Sequence, residues 1–222
     1  MARIAVCLSG CGFKDGAEIH ESVLTLLALD QAGAEILCCA PNIQQVAVVN
    51  HLEMRPVEGE KRNVLVESAR IARGDIVDMS IVQADDIDGL IFPGGFGAAQ
   101  NLCSFASDGP ACTVHPEVER LTGQMLDAKK PIGAVCIAPA MLARIVGKRN
   151  INPRLTIGND KQTAAAVEKM GSQHVECESE SCVVDETNRI VSTPAYMLAD
   201  GPAQVFEGIQ RLVNEVLRLS QA

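Results

Sequence analysis

The sequence predicts an α/β fold in which a mainly parallel sheet carries helices on both faces. Apolar strand-like segments alternate with segments whose apolar residues recur at helical spacing. Two of the strand segments, at 88–95 and 131–136, contain the continuous apolar runs GLIF and PIGAV, as expected when both faces of a sheet are covered. A length of 222 residues suits a single domain over residues 1–222.

The first half of the chain predicts three strands, two helices and a small hairpin. The first predicted helix follows a glycine-rich turn, and its apolar residues at helical spacing are Ile19, Val23, Leu26 and Leu27. In order, the expected elements are a strand at 3–10, a helix at 18–33, a strand at 35–40, a small hairpin within 42–60, a helix at 63–74 and a strand at 88–95.

The second half predicts four helices, two strands and a hairpin. Pro116 suits the first turn of a helix, and Lys129 and Lys130 suit its C-terminal end because cations complement the helix dipole. In order, the expected elements are a helix at 115–130, a strand at 131–136, a helix at 137–147, a short strand at 154–158, a helix at 160–171, a hairpin at 182–193 and a closing helix at about 202–220.

Composition and charge limit the partners of the protein. The net charge of −9 weighs against a nucleic-acid or anionic-membrane partner, since phosphate binding needs basic patches. No stretch approaches the length of a membrane span. The short apolar run near the N-terminus suits a first strand better than a secretory signal. We therefore expect a cytoplasmic protein with reduced thiols.

The cysteines do not predict a metal site. There are nine, an odd number, and no C-x-x-C motif occurs. Most are expected to be small buried residues of strands. No metal or other cofactor is expected.

One cysteine, Cys136, stands where a predicted strand meets a predicted helix. In α/β folds the active site lies at the carboxyl ends of the strands. The small neighbours Gly133, Ala134 and Ala138 suit a sharp strand–nucleophile–helix turn. The helix N-terminus would favour the thiolate. An ordinary buried cysteine at a strand end remains the alternative.

A glycine loop and an acidic helix start end two other strands. Gly94 and Gly95 could donate backbone N–H groups to an oxyanion beside Cys136, or they could only form a tight turn. Asp15 and Glu18 have the spacing of a capping box. In a functional role, Glu18 would turn toward Cys136, have a raised pKa and shuttle a proton.

Together these stretches resemble the class I glutamine amidotransferase-like superfamily, which includes the PfpI proteases and the Parkinsonism-associated deglycase. Within it, the chain is similar to the ElbB-type group, also labelled isoprenoid-biosynthesis proteins with an amidotransferase-like domain. The segments that carry the resemblance are SGCGFKDGAEIHESVLTL, QQVAVVNH, RNVLVESARIARG, FPGGFGAAQNL, GAVCIAPAML and STPAYMLA. The resemblance implies a flavodoxin-like sandwich, a homodimer and cofactor-free conversion of glyoxal to glycolate, with protein deglycation as a related activity.

The resemblance also implies roles for individual residues. Cys136 takes the place of the nucleophile, Glu18 that of the acidic residue in contact with it, and Gly94 and Gly95 that of the oxyanion-hole loop. The departure is histidine. Ile137 follows the nucleophile where some members have histidine, and the later loop LTIGND has none.

Three hypotheses follow. The first is an enzyme acting on small dicarbonyls through Cys136 and Glu18. The second is a non-enzymatic thiol sensor or binding protein, in which an exposed thiolate is oxidised. The third is an amidotransferase-like subunit, for which His174 and Glu176 resemble the His-x-Glu pair, although that pair is expected after the late strand, where this chain has STPAYM.

Overall fold

A computed structural model describes residues 1–221. Its strands are β1 (Arg3–Cys7), β2 (Glu35–Ala40), β3 (Val49–Asn50), β4 (Arg55–Pro56), β5 (Val77–Asp78), β6 (Gly89–Phe92), β7 (Ile132–Val135), β8 (Arg154–Leu155), β9 (Gln173–His174), β10 (Val183–Asp185) and β11 (Ile190–Thr193). Its α-helices are α1 (Ile19–Gln31), α2 (Val64–Ile71), α3 (Phe96–Gln100), α4 (Phe105–Asp108), α5 (Pro116–Asp127), α6 (Ala138–Lys148), α7 (Lys161–Lys169) and α8 (Pro202–Ser220). None of the helices in residues 1–221 is both long and apolar enough to cross a membrane.

Seven strands form the central sheet, in the order β10-β11-β7-β6-β1-β2-β5. All neighbouring strands run parallel except β10 and β11. Because β1, β6 and β7 are parallel and lie side by side, their carboxyl ends meet at one edge of the sheet. The predicted α/β sandwich of flavodoxin-like type is confirmed.

The sheet separates two apolar cores. Successive residues of β6 alternate between them, with Leu90 and Phe92 in one core and Ile91 in the other. Helices α5 and α6 contribute to the first core, and α1 and α8 to the second. This explains the continuous apolar sequence of the central strands, since every side chain is buried on one side or the other.

The hairpin predicted within residues 42–60 is β3–β4. The strand predicted at 154–158 is shorter than expected. Only Arg154–Leu155 pair, with Gln173–His174, in a separate two-stranded ladder. Residues 156–158 instead lead toward α7, and the Thr156 N–H donates to the Ser192 hydroxyl at 2.9 Å. A side-chain bond has replaced the backbone ladder there, and a sequence pattern does not show this.

The buried face of helix α1 is not the face that the spacing of its apolar residues predicted. Ile19, Val23 and Leu27 are exposed. The buried residues are Glu21, Ser22, Thr25, Ala28 and Leu29. Their hydroxyls are satisfied within the helix, since the Ser22 Oγ donates to the Glu18 carbonyl and the Thr25 Oγ1 donates to the Glu21 carbonyl, both at 2.7 Å. This small-residue face packs against α8 and carries Glu21 into the interior.

Candidate active site

Cys136 lies in a sharp turn between β7 and α6. Its φ is +62°, in the left-handed region that residues other than glycine rarely occupy. Its N–H donates to the Thr193 carbonyl of β11 at 2.9 Å, which holds the turn against the sheet. Strained backbone of this kind is concentrated at functional sites. Cys136 is 7% exposed and lies at the carboxyl edge of the sheet.

The carboxyl that faces this thiol belongs to Glu21. Glu21 is fully buried. Its Oε2 accepts a hydrogen bond from the Gly94 N–H at 2.9 Å, and its Oε1 accepts one from the Tyr196 N–H at 3.2 Å. The Cys136 side chain lies beside the same carboxyl, close enough for each group to shift the pKa of the other. Glu21 therefore links the loops that follow β6, β7 and β11.

Burial controls the protonation of both groups. Desolvation, followed by the charge of Glu18, raises the pKa of Glu21 to about 8. Desolvation, followed by the charge of Glu21, raises the pKa of Cys136 well above its usual range. The Gly95 and Ile137 N–H groups act in the opposite direction. The N–H group at the start of α6 therefore favours the thiolate, as expected, but desolvation outweighs it.

Glu18 does not take the position expected for it. It is the N-cap of α1, and its Oε2 accepts a hydrogen bond from the Glu21 N–H at 2.7 Å. The contact with Cys136 that the resemblance implied for Glu18 belongs instead to Glu21. An N-cap side chain bends back over its own helix, whereas Glu21, three residues on, points from the buried face toward the sheet. Glu18 nevertheless lines the cavity in front of Cys136.

Asp15, predicted to cap α1, instead fixes the β3–β4 hairpin. Its Oδ2 accepts a hydrogen bond from the Val49 N–H at 2.8 Å, and its Oδ1 lies 3.7 Å from the His51 Nε2. The helix begins three residues later than the capping box implied. Desolvation raises the pKa of Asp15.

Gly94 and Gly95 are required first because neighbouring atoms leave no room for a side chain at either position. A Cβ at Gly94 would lie 2.4 Å from the Cys136 Cβ and 2.5 Å from the Glu21 Oε2. Gly95 has φ +90°, and a Cβ there would lie 2.4 Å from the Glu18 N. The Gly94 N–H already donates to Glu21. Contrary to the expectation, it is therefore not free to donate to an oxyanion. The Gly95 N–H faces the Cys136 sulfur.

None of the four histidines lines the Cys136 cavity in the part of the chain that the structure describes. His115 caps α5, and His174 on β9 accepts a hydrogen bond from the Ile157 N–H at 3.4 Å. Two histidines contact residues that line the cavity. The His20 Nδ1 lies 2.6 Å from the Tyr196 hydroxyl, and the His51 ring packs edge-on against Phe13, with 5.5 Å between the ring centroids.

The cavity in front of Cys136 has a volume of about 480 Å³. Its lining residues are Phe13, Glu18, Gly95, Phe96, Ala99, Phe105, Ala106, Cys136, Ile137, Asp160, Thr163, Tyr196 and Met197. Sequence reasoning missed Glu21 and Tyr196. Two features of the sequence could have identified them. Glu21 lies beside the small residue Ser22 on α1, and Tyr196 lies in the STPAYM stretch at the end of β11.

The cysteines are all free. Within residues 1–221, no three or more His, Cys, Asp or Glu side chains form a group that could bind a metal ion. The chemistry that these residues can supply is that of a thiol with an adjacent carboxyl in an apolar cavity.

Sequence comparison decides the family. A relative from Homo sapiens, "Glutamine amidotransferase-like class 1 domain-containing protein 3, mitochondrial", is 43% identical over 228 residues, which covers 99% of this chain and 84% of the relative. The chain belongs to the glutamine amidotransferase-like class 1 family. The "ES1 protein homolog, mitochondrial" of Rattus norvegicus is 42% identical, with the same coverage. A scan against protein-family models finds no match.

Solved structures agree with this assignment. The crystal structure of an isoprenoid biosynthesis protein with an amidotransferase-like domain, from Ehrlichia chaffeensis, superposes with a TM-score of 0.92. It is 40% identical, and 99% of each chain is covered. Drosophila melanogaster DJ-1beta shares the fold, with a TM-score of 0.56 at 16% identity over 99% of this chain and 96% of the other. The family resemblance inferred from the sequence motifs is confirmed.

The family relatives contradict the predicted cytoplasmic location. The relatives from Homo sapiens, Rattus norvegicus and Danio rerio all carry "mitochondrial" in their names. A short apolar run that forms β1 and the presence of reduced thiols do not distinguish the cytosol from other reducing compartments, so those observations could not support the prediction.

Proposed function

We propose that this amidotransferase-like protein is a cofactor-free glyoxalase, which converts glyoxal to the hydroxy acid glycolate through Cys136. The observation that carries the proposal is the position of the Cys136 side chain beside the buried Glu21 carboxyl, in front of an apolar cavity. A carboxyl with a pKa of about 8 is a far better proton acceptor for a thiol than an ordinary carboxyl is.

The first step forms a bond between sulfur and carbon. The Cys136 Sγ attacks one aldehyde carbon of glyoxal while the thiol proton passes to the ionised form of Glu21. The electron pair of the carbonyl moves to its oxygen, which then takes a proton to give a hemithioacetal. The Gly95 N–H, which faces the sulfur, is the backbone donor near the developing oxyanion.

The second step moves a hydrogen between the two carbons of the adduct. A base removes the proton from the carbon bonded to sulfur, giving an enediol, and a proton returns to the other carbon. We assign this transfer to Glu18, whose side chain lines the cavity. One carbon is thereby oxidised to a thioester and the other reduced to an alcohol, so no external oxidant is needed. Water then hydrolyses the thioester and releases glycolate and the thiol.

The structure favours this function over the two alternatives. A thiol sensor needs a resting thiolate, which the raised pKa of Cys136 disfavours, whereas the enzyme forms the thiolate only as the thiol proton passes to Glu21. An amidotransferase triad needs a histidine near the cysteine, and His174 lies on β9 instead. Free dicarbonyls fit the buried thiol better than glycated protein side chains do, because those would have to enter the cavity. The homodimer implied by the resemblance stays a prediction.

The test is to identify the product in deuterated water. We expect the protein to convert glyoxal to glycolate over many turnovers, as seen by NMR, with no added thiol, metal or nicotinamide. A proton transfer through an enediol predicts solvent deuterium on the hydroxymethyl carbon. If no glycolate forms beyond a control without protein, the glyoxalase proposal is wrong. If the hydroxymethyl group retains only substrate hydrogen, the Glu18 step is wrong.

Alkylation of Cys136 tests which carboxyl controls the thiol. Since the charge of Glu21 raises the pKa of Cys136, we expect Glu21→Gln to lower that pKa. Iodoacetamide should then modify Cys136 several-fold faster at mildly alkaline pH, measured by peptide mass spectrometry. Glu18→Gln is the matched control and should change the rate much less. An equal effect of the two substitutions would contradict the assignment of Glu21.

A further inference from the structure

The few aromatic side chains of the chain gather around one cavity. The sequence has five phenylalanines and one tyrosine. Three of the phenylalanines, Phe13, Phe96 and Phe105, line the Cys136 cavity together with Tyr196. The core residues of the sheet are mainly aliphatic, with Phe92 as the exception. These four aromatic residues come from four separate segments, so their grouping is a property of the tertiary structure.

The remaining walls are also mainly apolar. Ile137, Met197 and Ala99 complete them. The two carboxylates of the lining are engaged at helix N-termini. Glu18 caps α1, and the Asp160 Oδ1 accepts a hydrogen bond from the Thr163 N–H at 2.8 Å at the start of α7. A ligand therefore meets aromatic and aliphatic surface in front of the thiol.

The rim of the cavity is built by the same aromatic residues. Phe96 is 45% exposed. The Lys14 ammonium lies 5.3 Å from the centroid of the Phe13 ring and 4.8 Å from that of Phe96. These cation–π contacts hold the two rings at the entrance without placing the charge on the cavity wall.

The size of the cavity exceeds what glyoxal needs. A volume of about 480 Å³ lies within the range of roughly 300–1,000 Å³ that is typical of pockets for drug-sized ligands. Glyoxal has only two carbons and is strongly polar, so it cannot contact several aromatic walls at once. Apolar walls gain binding energy only from apolar surface on the ligand.

We propose that the cavity takes carbonyl compounds with an aromatic or branched-alkyl body, which packs on Phe96 and Phe105 while the carbonyl carbon meets Cys136. For turnover, the inference rests on the glyoxalase proposal. It specifies the substrates of that reaction as 2-oxoaldehydes with an apolar substituent. The same bond changes apply as for glyoxal, and the product is the 2-hydroxy acid that retains the substituent.

The kinetic test compares phenylglyoxal with glyoxal by initial rates. We expect kcat/KM to be at least about tenfold higher for phenylglyoxal, since one methylene in an apolar pocket already changes kcat/KM by roughly this factor. Phe105→Ala should lower the ratio of the two values by about tenfold. Phe206→Ala, on α8 and outside the cavity, is the matched control and should leave both values unchanged. Equal kcat/KM for the two substrates would overturn the inference.

A binding test separates this inference from the proposed function. Acetophenone has the aromatic body and a carbonyl but no aldehyde, so it can be titrated into the unmodified protein by calorimetry. Binding that Phe105→Ala weakens and Phe206→Ala does not would support the inference even if neither dicarbonyl is turned over, in which case only the glyoxalase proposal fails. If the protein turns over glyoxal but neither prefers phenylglyoxal nor binds acetophenone, the inference is overturned and the glyoxalase proposal stands.

Discussion

Cys136→Ser should abolish the conversion of glyoxal to glycolate. We expect kcat/KM to fall on the order of 10³-fold or more, since removal of the nucleophile is among the most damaging changes to a covalent mechanism. A serine hydroxyl is a much weaker acid than a thiol, so a carboxyl with a pKa of about 8 cannot activate it comparably. The measurement is steady-state formation of glycolate, with the fold checked by circular dichroism.

The matched control for this substitution is Cys182→Ser. Cys182 is also a free cysteine, partly buried, and it lies beside β10 outside the cavity. We expect it to retain wild-type turnover. If Cys136→Ser kept more than about a tenth of the wild-type kcat/KM, the covalent mechanism would be wrong, because the loss would then correspond to less than about 1.4 kcal/mol of transition-state stabilisation.

The stability of the protein should fall as pH rises between about 5 and 8, and Glu21→Gln should remove most of that fall. The pKa of Glu21 is raised from its ordinary value of 4.5 to about 8 in the folded protein. Between those values the unfolded chain has lost this proton and the folded protein still holds it. Stability then decreases with pH, because the unfolded state binds fewer protons. The contribution of the protonated Glu21 to stability is fully present below the pKa of the unfolded state and is lost as the pH rises through about 8.

The expected size of this effect is roughly 3 to 4 kcal/mol between pH 5 and 8. A glutamine does not titrate, so the free energy of unfolding of the variant should vary less with pH by that amount. Urea denaturation of the wild type and Glu21→Gln at several pH values measures the difference. Glu207→Gln, an exposed position on α8, is the control and should keep the wild-type slope. Parallel pH profiles for wild type and Glu21→Gln would show that Glu21 is not protonated in the native state.

The general architecture could be predicted because it is encoded locally. Continuous apolar strands, helical periodicity and glycine-rich turns each depend on residues that are near one another in the chain. The same holds for Cys136, whose small neighbours and position at a strand end identified the turn. Because parallel strands end at one edge of a sheet, their order along the chain was enough to bring Cys136 and Gly94 together.

The buried face of α1 could not be predicted by the same reasoning. The apolar side chains of Ile19, Val23 and Leu27 point to the exposed surface, and the face that carries Ser22 and Thr25 packs inward. Hydroxyls that bond to carbonyls of their own helix can be buried at little cost, and their small size allows α8 to approach closely. The periodicity of apolar residues therefore identified the helix and misplaced its face.

The sequence by itself determined the alternation of strands and helices and the position of Cys136 at the carboxyl edge of the sheet. Only the tertiary structure decided that Glu21 rather than Glu18 contacts the thiol, and that four aromatic side chains from separate segments line the cavity. The reason is physical. Element formation depends on neighbours in the chain, whereas the pKa of a buried carboxyl depends on all the groups that exclude water from it, and those groups meet only when the chain folds.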